Sequence, residues 1–265
     1  MGGFGFRTSG FRGWPVARTL TTLGELGFDG VELCLEPEDV RPEKLDEVRC
    51  AELRRQIDGA GLRLASVSFH GDGEPEPQRR RNQELALRAA GWLGGEILIV
   101  NGERAVTPDG SPVADRAQRW ESFAVHLCGL AKSAEESGIR IAVEPEPLLL
   151  VGGSLEALDL IAAVGSTALK VNLDVGHAFI TDDDLAESVR RLGSAIVHIH
   201  LEDIKGKVHR HLLPGEGDID FRGLRKALDG VGYAGPYVAD LFNLGDDPAA
   251  TAGRCLAALR ERFRS

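Results

Sequence analysis

The chain has 265 residues, with 31 Lys and Arg against 41 Asp and Glu, a formal net charge of −10. Hydrophobic residues at 43% and charged residues at 27% are globular values, which excludes disorder and collagen-like structure. The acidic balance argues against nucleic acid as the main partner, and no apolar run approaches the roughly 20 residues of a membrane helix. The N-terminus lacks the basic flank and apolar core of a secretory signal. Cys34, Cys50, Cys128 and Cys255 form no C-x-x-C and read as reduced thiols. A soluble, cytoplasmic protein with no membrane association is expected.

Eight short apolar runs recur along the chain. FGFRTSG from Phe4 comes first, with Trp14 in the loop after it. DGVELCL from Asp29 precedes a helical pattern from Pro42 to Ala60, which places Leu45, Val48, Leu53 and Ile57 near one face. Gly59 and Gly61 end that pattern. RLASVSF from Arg63 leads into the loop GDGEPEPQ and the basic run Gln78–Arg81, read as the start of a solvated helix. EILIV from Glu96 precedes a helix from Ala114 to Ser137 that stops at Gly138. RIAVE from Arg140 is followed by LEALDLIAAV, with Ser154 as its N-cap. KVNLD from Lys170 is followed by DDDLAESVRRL, with Thr181 as N-cap and acidic residues where the helix dipole favours them. AIVHIHL from Ala195 and PYVADLF from Pro236 complete the set.

Runs of this length, rich in Val, Ile, Leu and Phe, suit strands buried on both faces. Repeated βα units imply parallel strands joined by right-handed crossovers. Eight units with no linker predict one domain over residues 1–265, an α/β protein built as a single (β/α)8 barrel. A doubly wound nucleotide-binding sheet is the alternative, but the N-terminal GGFGF lacks the G-x-G-x-x-G spacing.

Barrel active sites lie at the C-terminal strand ends. Of seven histidines, His70 ends the third run, His177 follows the sixth, and His198 and His200 lie in the seventh. His209 and His211 lie in the loop after it, leaving His126 alone within a helix. Glu144 ends the fifth run, Asp174 the sixth, and Asp240 lies near the end of the eighth. Burying such carboxylates without a partner is costly, so a cation or an Arg must compensate them. Three carboxylates and an imidazole converging from four adjacent strands point to a divalent metal: Mn, Mg or Co for an oxygen-rich set, Zn for a His-richer one. His198 and His200 share parity and point the same way. His200, nearer the strand end, is the better ligand; His198 reads as a hydrogen-bonded interior residue.

With these residues in place, the chain resembles the xylose-isomerase-like TIM-barrel superfamily of sugar isomerases and epimerases, inosose dehydratase and endonuclease-IV-type AP endonucleases. The carriers are EP after the fifth strand, LDVGHAF, HIHLEDIKGK and HRHLLPGEGDIDF. By that resemblance Glu144, Asp174, His200 and Asp240 hold the metal, and Glu144 and Asp240 form the acid/base pair. The second member is Glu in the epimerase branch, so the chain is one methylene short there. The endonuclease branch adds further zinc ligands, which His70, His177 and His211 match; His209 replaces an Asp, and Asn101 stands in place of a His. These histidines therefore bind either additional metal or substrate.

The expected activity is metal-dependent isomerisation or epimerisation of a small polyhydroxy carbonyl compound through an enediolate. A dehydratase using the same chemistry is one alternative. Multinuclear zinc phosphodiester hydrolysis is another, poorly served by the acidic charge. A non-catalytic metabolite-binding barrel is a third. Glu146, Arg210, Lys205 and Trp14 are candidate substrate contacts. Barrels of this size often form homo-oligomers through their outer helices.

Overall fold

The computed structural model describes residues 3–107 and 109–263. Eight parallel strands close in sequence order into one barrel: β1 Phe4–Arg7, β2 Gly30–Cys34, β3 Arg63–Ser68, β4 Ile97–Asn101, β5 Arg140–Glu144, β6 Leu169–Asp174, β7 Ile196–Leu201 and β8 Tyr237–Ala239. β1 pairs with both β2 and β8, which removes every sheet edge. Around them, among the described residues, lie α1 Val16–Glu25, α2 Glu47–Gly59, α3 Glu76–Trp92, α4 Arg116–Ser137, α5 Ser154–Val164, α6 Val175–Thr181, α7 Leu185–Leu192, α8 Phe221–Gly230 and α9 Pro248–Arg262. The (β/α)8 expectation holds, and each strand falls on its apolar run.

The strands are buried on both faces, but the two faces differ in chemistry. Leu98, Val100, Ile141 and Val143 point outward into the continuous core shared with the helices. Their inward neighbours Ile97, Ile99 and Ala142 form a small separate apolar floor. Above that floor the interior is polar: Arg7, Glu32, Ser66, Asn101, Glu144, Asn172, Asp174, His198 and His200 are all buried.

Four helix starts differ from the sequence expectation: α4 begins at Arg116 rather than Ala114, and those of α2, α7 and α5 also shift. Pro42–Lys44 forms a separate 3₁₀ turn, and Asp46 caps α2 by accepting from the Arg49 amide at 2.8 Å. That start puts Cys50, Leu53 and Ile57 on the buried face and leaves Val48 69% exposed. Asp184, not Thr181, caps α7, while Thr181 closes α6 by donating to the His177 carbonyl. Gly153 holds the cap position of α5, with Ser154 already helical. Gln78–Arg81 lies in the first turns of α3, with Gln78 and Arg81 exposed as expected, but not all of it is solvated. Arg79 is buried and donates to the Gly102 carbonyl, and Arg80 pairs with Glu103 at 2.7 Å.

Candidate active site

Four strand ends deliver the central cluster. Glu144 closes β5, Asp174 closes β6, His200 lies one residue from the end of β7, and Asp240 follows β8. None is more than 1% exposed, and one ligand atom from each falls within 4.8 Å of all the others. His200 Nδ1 faces the group, 3.3 Å from Glu144 Oε2 and 3.7 Å from both Asp174 Oδ2 and Asp240 Oδ2. Asp174 Oδ2 and Asp240 Oδ1 are buried with no hydrogen-bond partner among the described residues. Uncompensated buried carboxylate oxygens are rare and costly. A divalent cation at the centre would satisfy both, and three carboxylates with one imidazole suit Mn, Mg or Co.

Electrostatics follow from this crowding. Burial alone would raise the Glu144 carboxyl, but His200 and His70 outweigh it and hold it well below the usual range. The same opposition holds for Asp174, where His177 and His200 overcome burial and lower it. Burial disfavours charge on His200, yet Glu32 and Glu144 raise it well above an ordinary imidazole. His70, whose Nε2 lies 3.3 Å from Glu144 Oε2, rises to about 9 because Glu144 and Glu36 outweigh burial and Arg7.

A second ring of imidazoles stands on the solvent side. Asp174 caps α6 by accepting from the His177 amide at 2.7 Å, which fixes His177 against the cage, 3.6 Å from Glu144 Oε1. His177 therefore also lies in a helix, so His126 is not the one helical histidine. His177 Nε2 is 2.9 Å from His209 Nε2, and His211 completes a group of three whose ring nitrogens lie within 4.8 Å of one another. His211 Nδ1 is 2.7 Å from the Asp240 carbonyl, while its Nε2 is buried without a partner among the described residues. Burial together with His177 and His211 pushes His209 down to about 4.

The loop carrying His209 and His211 is organised by Asp203. Its Oδ1 accepts from the Ile204 and Ile219 amides at 2.9 and 3.0 Å, and its Oδ2 from those of Gly215 and Gly217 at 2.7 and 2.9 Å. A Cβ at Gly217 would stand 2.3 Å from Asp203 Oδ1, so the G-E-G sequence is a steric requirement of this arrangement.

Glu144 and Asp240 of the cage, with His70, His177, His209 and His211, open into a cavity of about 560 Å³, which Trp14, Glu146, Phe11 and Phe242 also line. Burial raises the Glu146 carboxyl, and Asn101 donates to it at 3.2 Å. Two expected contacts are not brought here. Lys205 is exposed and paired with Asp218 at 2.6 Å, and exposed Arg210 does not line the cavity. His198 is the interior residue expected, between Ser66 Oγ at 3.0 Å and Asn172 Oδ1 at 2.9 Å, and burial pushes it down to about 3.

The sequence reading passed over Arg7 and Glu32. Their Cα positions are paired between β1 and β2, and both side chains point into the barrel. Arg7 Nε donates to Glu32 Oε1 at 2.9 Å and Nη1 to Asp240 Oδ2 at 3.1 Å. Glu32 Oε2 lies 2.8 Å from His200 Nε2. A charged residue in an otherwise apolar strand was the available signal in both FGFR and GVELC.

The molecule is thus a closed parallel barrel with a buried carboxylate–imidazole cage at its C-terminal mouth. The chain belongs to the xylose isomerase-like TIM barrel family, whose model matches residues 20–262. It is 28% identical over 246 residues to an L-ribulose 3-epimerase of Mesorhizobium japonicum, covering 85% of this chain and 75% of the relative. It is 25% identical to the L-ribulose-5-phosphate 3-epimerase UlaE of Salmonella heidelberg, covering 94% and 90%. The solved D-psicose 3-epimerase of Clostridium cellulolyticum H10, crystallised with D-tagatose, superposes with a TM-score of 0.82 at 21% identity, covering 98% of each chain. No helix among the described residues is long and apolar enough to cross a membrane.

Proposed function

We propose that this protein is a divalent-metal-dependent epimerase or isomerase of a small ketose, with Glu144 and Asp240 as its proton-transfer pair. The observation that carries the reading is the cage itself: two unpartnered buried carboxylate oxygens within reach of His200 Nδ1 and Glu144. Glu144, Asp174, His200 and Asp240 would hold the ion. When bound, it supplies Lewis-acid polarisation of the substrate carbonyl. The sugar epimerases among its relatives support the substrate class.

Glu144 is kept as the carboxylate by His200 and His70, so it is in the proton-accepting form at neutral pH. It takes the proton from the carbon next to the carbonyl, leaving an enediolate. Asp240 enters the step as the carboxylic acid and, for epimerisation, gives its proton to the opposite face of that carbon. It ends as the carboxylate while Glu144 ends protonated, so the pair exchanges roles in the reverse direction. For isomerisation the Asp240 proton goes instead to the neighbouring carbon, the former carbonyl, as the hydroxyl proton of the carbon that Glu144 deprotonated passes to the other oxygen. Arg7 fixes the orientation of Asp240, whose side chain is one methylene shorter than a Glu. The cavity holds a monosaccharide, with Trp14 and Phe242 as apolar walls and Glu146 as a hydroxyl partner.

The test is proton exchange. Free and phosphorylated ketopentoses and ketohexoses are incubated with the Mn-, Co- or Mg-loaded chain in D₂O and followed by proton NMR. Deuterium entering next to the carbonyl, together with a new diastereomer, is the expected result. Loss of water instead would assign a dehydratase, and no exchange with any ketose would remove the proposal.

A second reading is favoured by His177, His209 and His211, whose converging nitrogens form a softer, His-rich site suited to Zn. On that reading the chain is multinuclear and hydrolytic. Elemental analysis separates the two: about one Mn, Co or Mg per chain supports the epimerase, and two or three Zn support the alternative.

A further inference from the structure

We propose that the buried Arg7–Glu32 pair is the positioning device of the metal site, fixing His200 and Asp240 from behind. The inference rests on the metal reading above and adds to it two residues of strands that supply none of the four candidate ligands, β1 and β2.

The contacts form one continuous path. Asp240 Oδ2 accepts from Arg7 Nη1, Arg7 Nε donates to Glu32 Oε1, and Glu32 Oε2 meets His200 Nε2 at 2.8 Å. Two of the four candidate ligands, one in β7 and one following β8, are thereby joined through residues of β1 and β2. Glu32 is 0% exposed and Arg7 7%, so neither serves solvation. A third donor, Ser66 Oγ, reaches Glu32 Oε2 at 2.8 Å from β3. With Nε2 engaged by Glu32, the nitrogen that His200 turns toward Glu144, Asp174 and Asp240 is Nδ1, which also meets Asn172 Nδ2 at 3.1 Å, a partner an ion would displace.

A carboxylate on the far nitrogen of a metal-binding His fixes the tautomer and ring orientation and raises ligand basicity. Glu32 is placed for that role. Arg7 does two things at once. It compensates a carboxylate that would otherwise be buried beside the cage, and it holds Asp240 with the oxygen Oδ1 left free. A buried ion pair with one partner removed leaves an uncompensated charge, so the two residues act as a unit.

The experiment is Mn²⁺ titration of the full-length chain and of the variants Glu32→Gln, Arg7→Met and the double variant. Free Mn²⁺ is read by its paramagnetic resonance signal, and folding is checked by circular dichroism. Glu32→Gln weakens Mn²⁺ about 10–100-fold, the usual cost of losing such a partner. Arg7→Met also weakens it, and the double variant loses no more than the larger single loss, because the residues share one path. Glu32→Gln within threefold of the unmodified chain, tighter Mn²⁺ in Arg7→Met, or fully additive losses would each overturn the proposal.

Should Glu32→Gln fail to fold, the unmodified chain still decides. With ¹¹³Cd²⁺ and ¹⁵N-histidine, cadmium–nitrogen coupling is expected at Nδ1 of His200, with Nε2 keeping its proton. Coupling at Nε2 would mean that His200 turns away from Glu32, which overturns the pair's role while leaving the metal reading intact. Failure of the unmodified chain to bind either ion would remove the metal reading and this inference with it.

Discussion

The mouth of the barrel contains two polar regions built on opposite principles. Glu144, Asp174, His200 and Asp240 stand at strand ends, nearly unexposed, and are locked by Arg7, Glu32 and Asn172. His209 and His211 stand, partly exposed, on a loop whose ends are tied by Asp203 and whose Gly206 amide is held by Asp218. The electrostatics diverge accordingly. His70 and His200, beside carboxylates, are raised, whereas His209, beside two other imidazoles, is depressed. A barrel can thus hold the groups that need fixed geometry on its strands and leave those that meet a variable substrate to its loops. On the proposed function, chemistry belongs to the cage and recognition to the ring.

The largest expected effect comes from breaking the cage. Glu144→Gln keeps the shape of the side chain but removes the base, so turnover falls by at least about 10²–10⁴-fold. Three ligands remain, so Mn²⁺ still binds, more weakly. Near-normal turnover in steady-state assays would take the chemistry away from Glu144.

A smaller effect is expected from loosening the ring. Asp203→Asn leaves one side-chain acceptor oxygen where four backbone amides now converge on two. The loop holding His209 and His211 then loses its anchor while the strands stay in place. KM should rise about tenfold with kcat changing less, since lost binding shared by ground and transition states appears in KM. An equal fall in kcat with KM unchanged would mean that the imidazoles belong to the chemistry.

How far each region was legible in the sequence also follows from how it is built. The cage was readable because Glu144, Asp174 and Asp240 each follow an apolar strand, and position in a strand fixes position in a barrel. His200 was distinguished from His198 by place along β7, and the structure separates them as expected. Arg7 and Glu32 lie in equally regular strands, yet their role is a pairing across the barrel that no single run displays. The loop was less legible still. Lys205 and Arg210 have suitable charge and sit beside the right motif, but both are exposed, and Lys205 is taken up by Asp218. Helix starts moved where an Asp caps later than the pattern suggested, at Asp46 inside the run from Pro42 and at Asp184 in place of Thr181. Local side-chain competition of this kind moves boundaries without moving the fold.

The last effect is on stability rather than turnover and tests the electrostatic contrast directly, in metal-free protein. His70 is raised to about 9, so the folded state holds its proton where the unfolded chain, near 6.5, has released it. That contribution to stability is complete below about pH 6.5 and is lost as pH rises through about 9. His209 is lowered to about 4, so the unfolded chain takes up a proton that the folded state refuses. Its contribution is present above about pH 6.5 and is lost as pH falls through about 4. The alkaline limb from His70 amounts to about 3 kcal/mol, and the acidic limb from His209, discounted for its partial exposure, to about 1–2 kcal/mol. Thermal unfolding across pH 4–9 should then show a maximum near neutrality. His70→Gln should flatten the alkaline limb alone and His209→Gln the acidic limb alone. If both variants flatten the same limb, cage and ring share one electrostatic environment, and the division of labour between them does not hold.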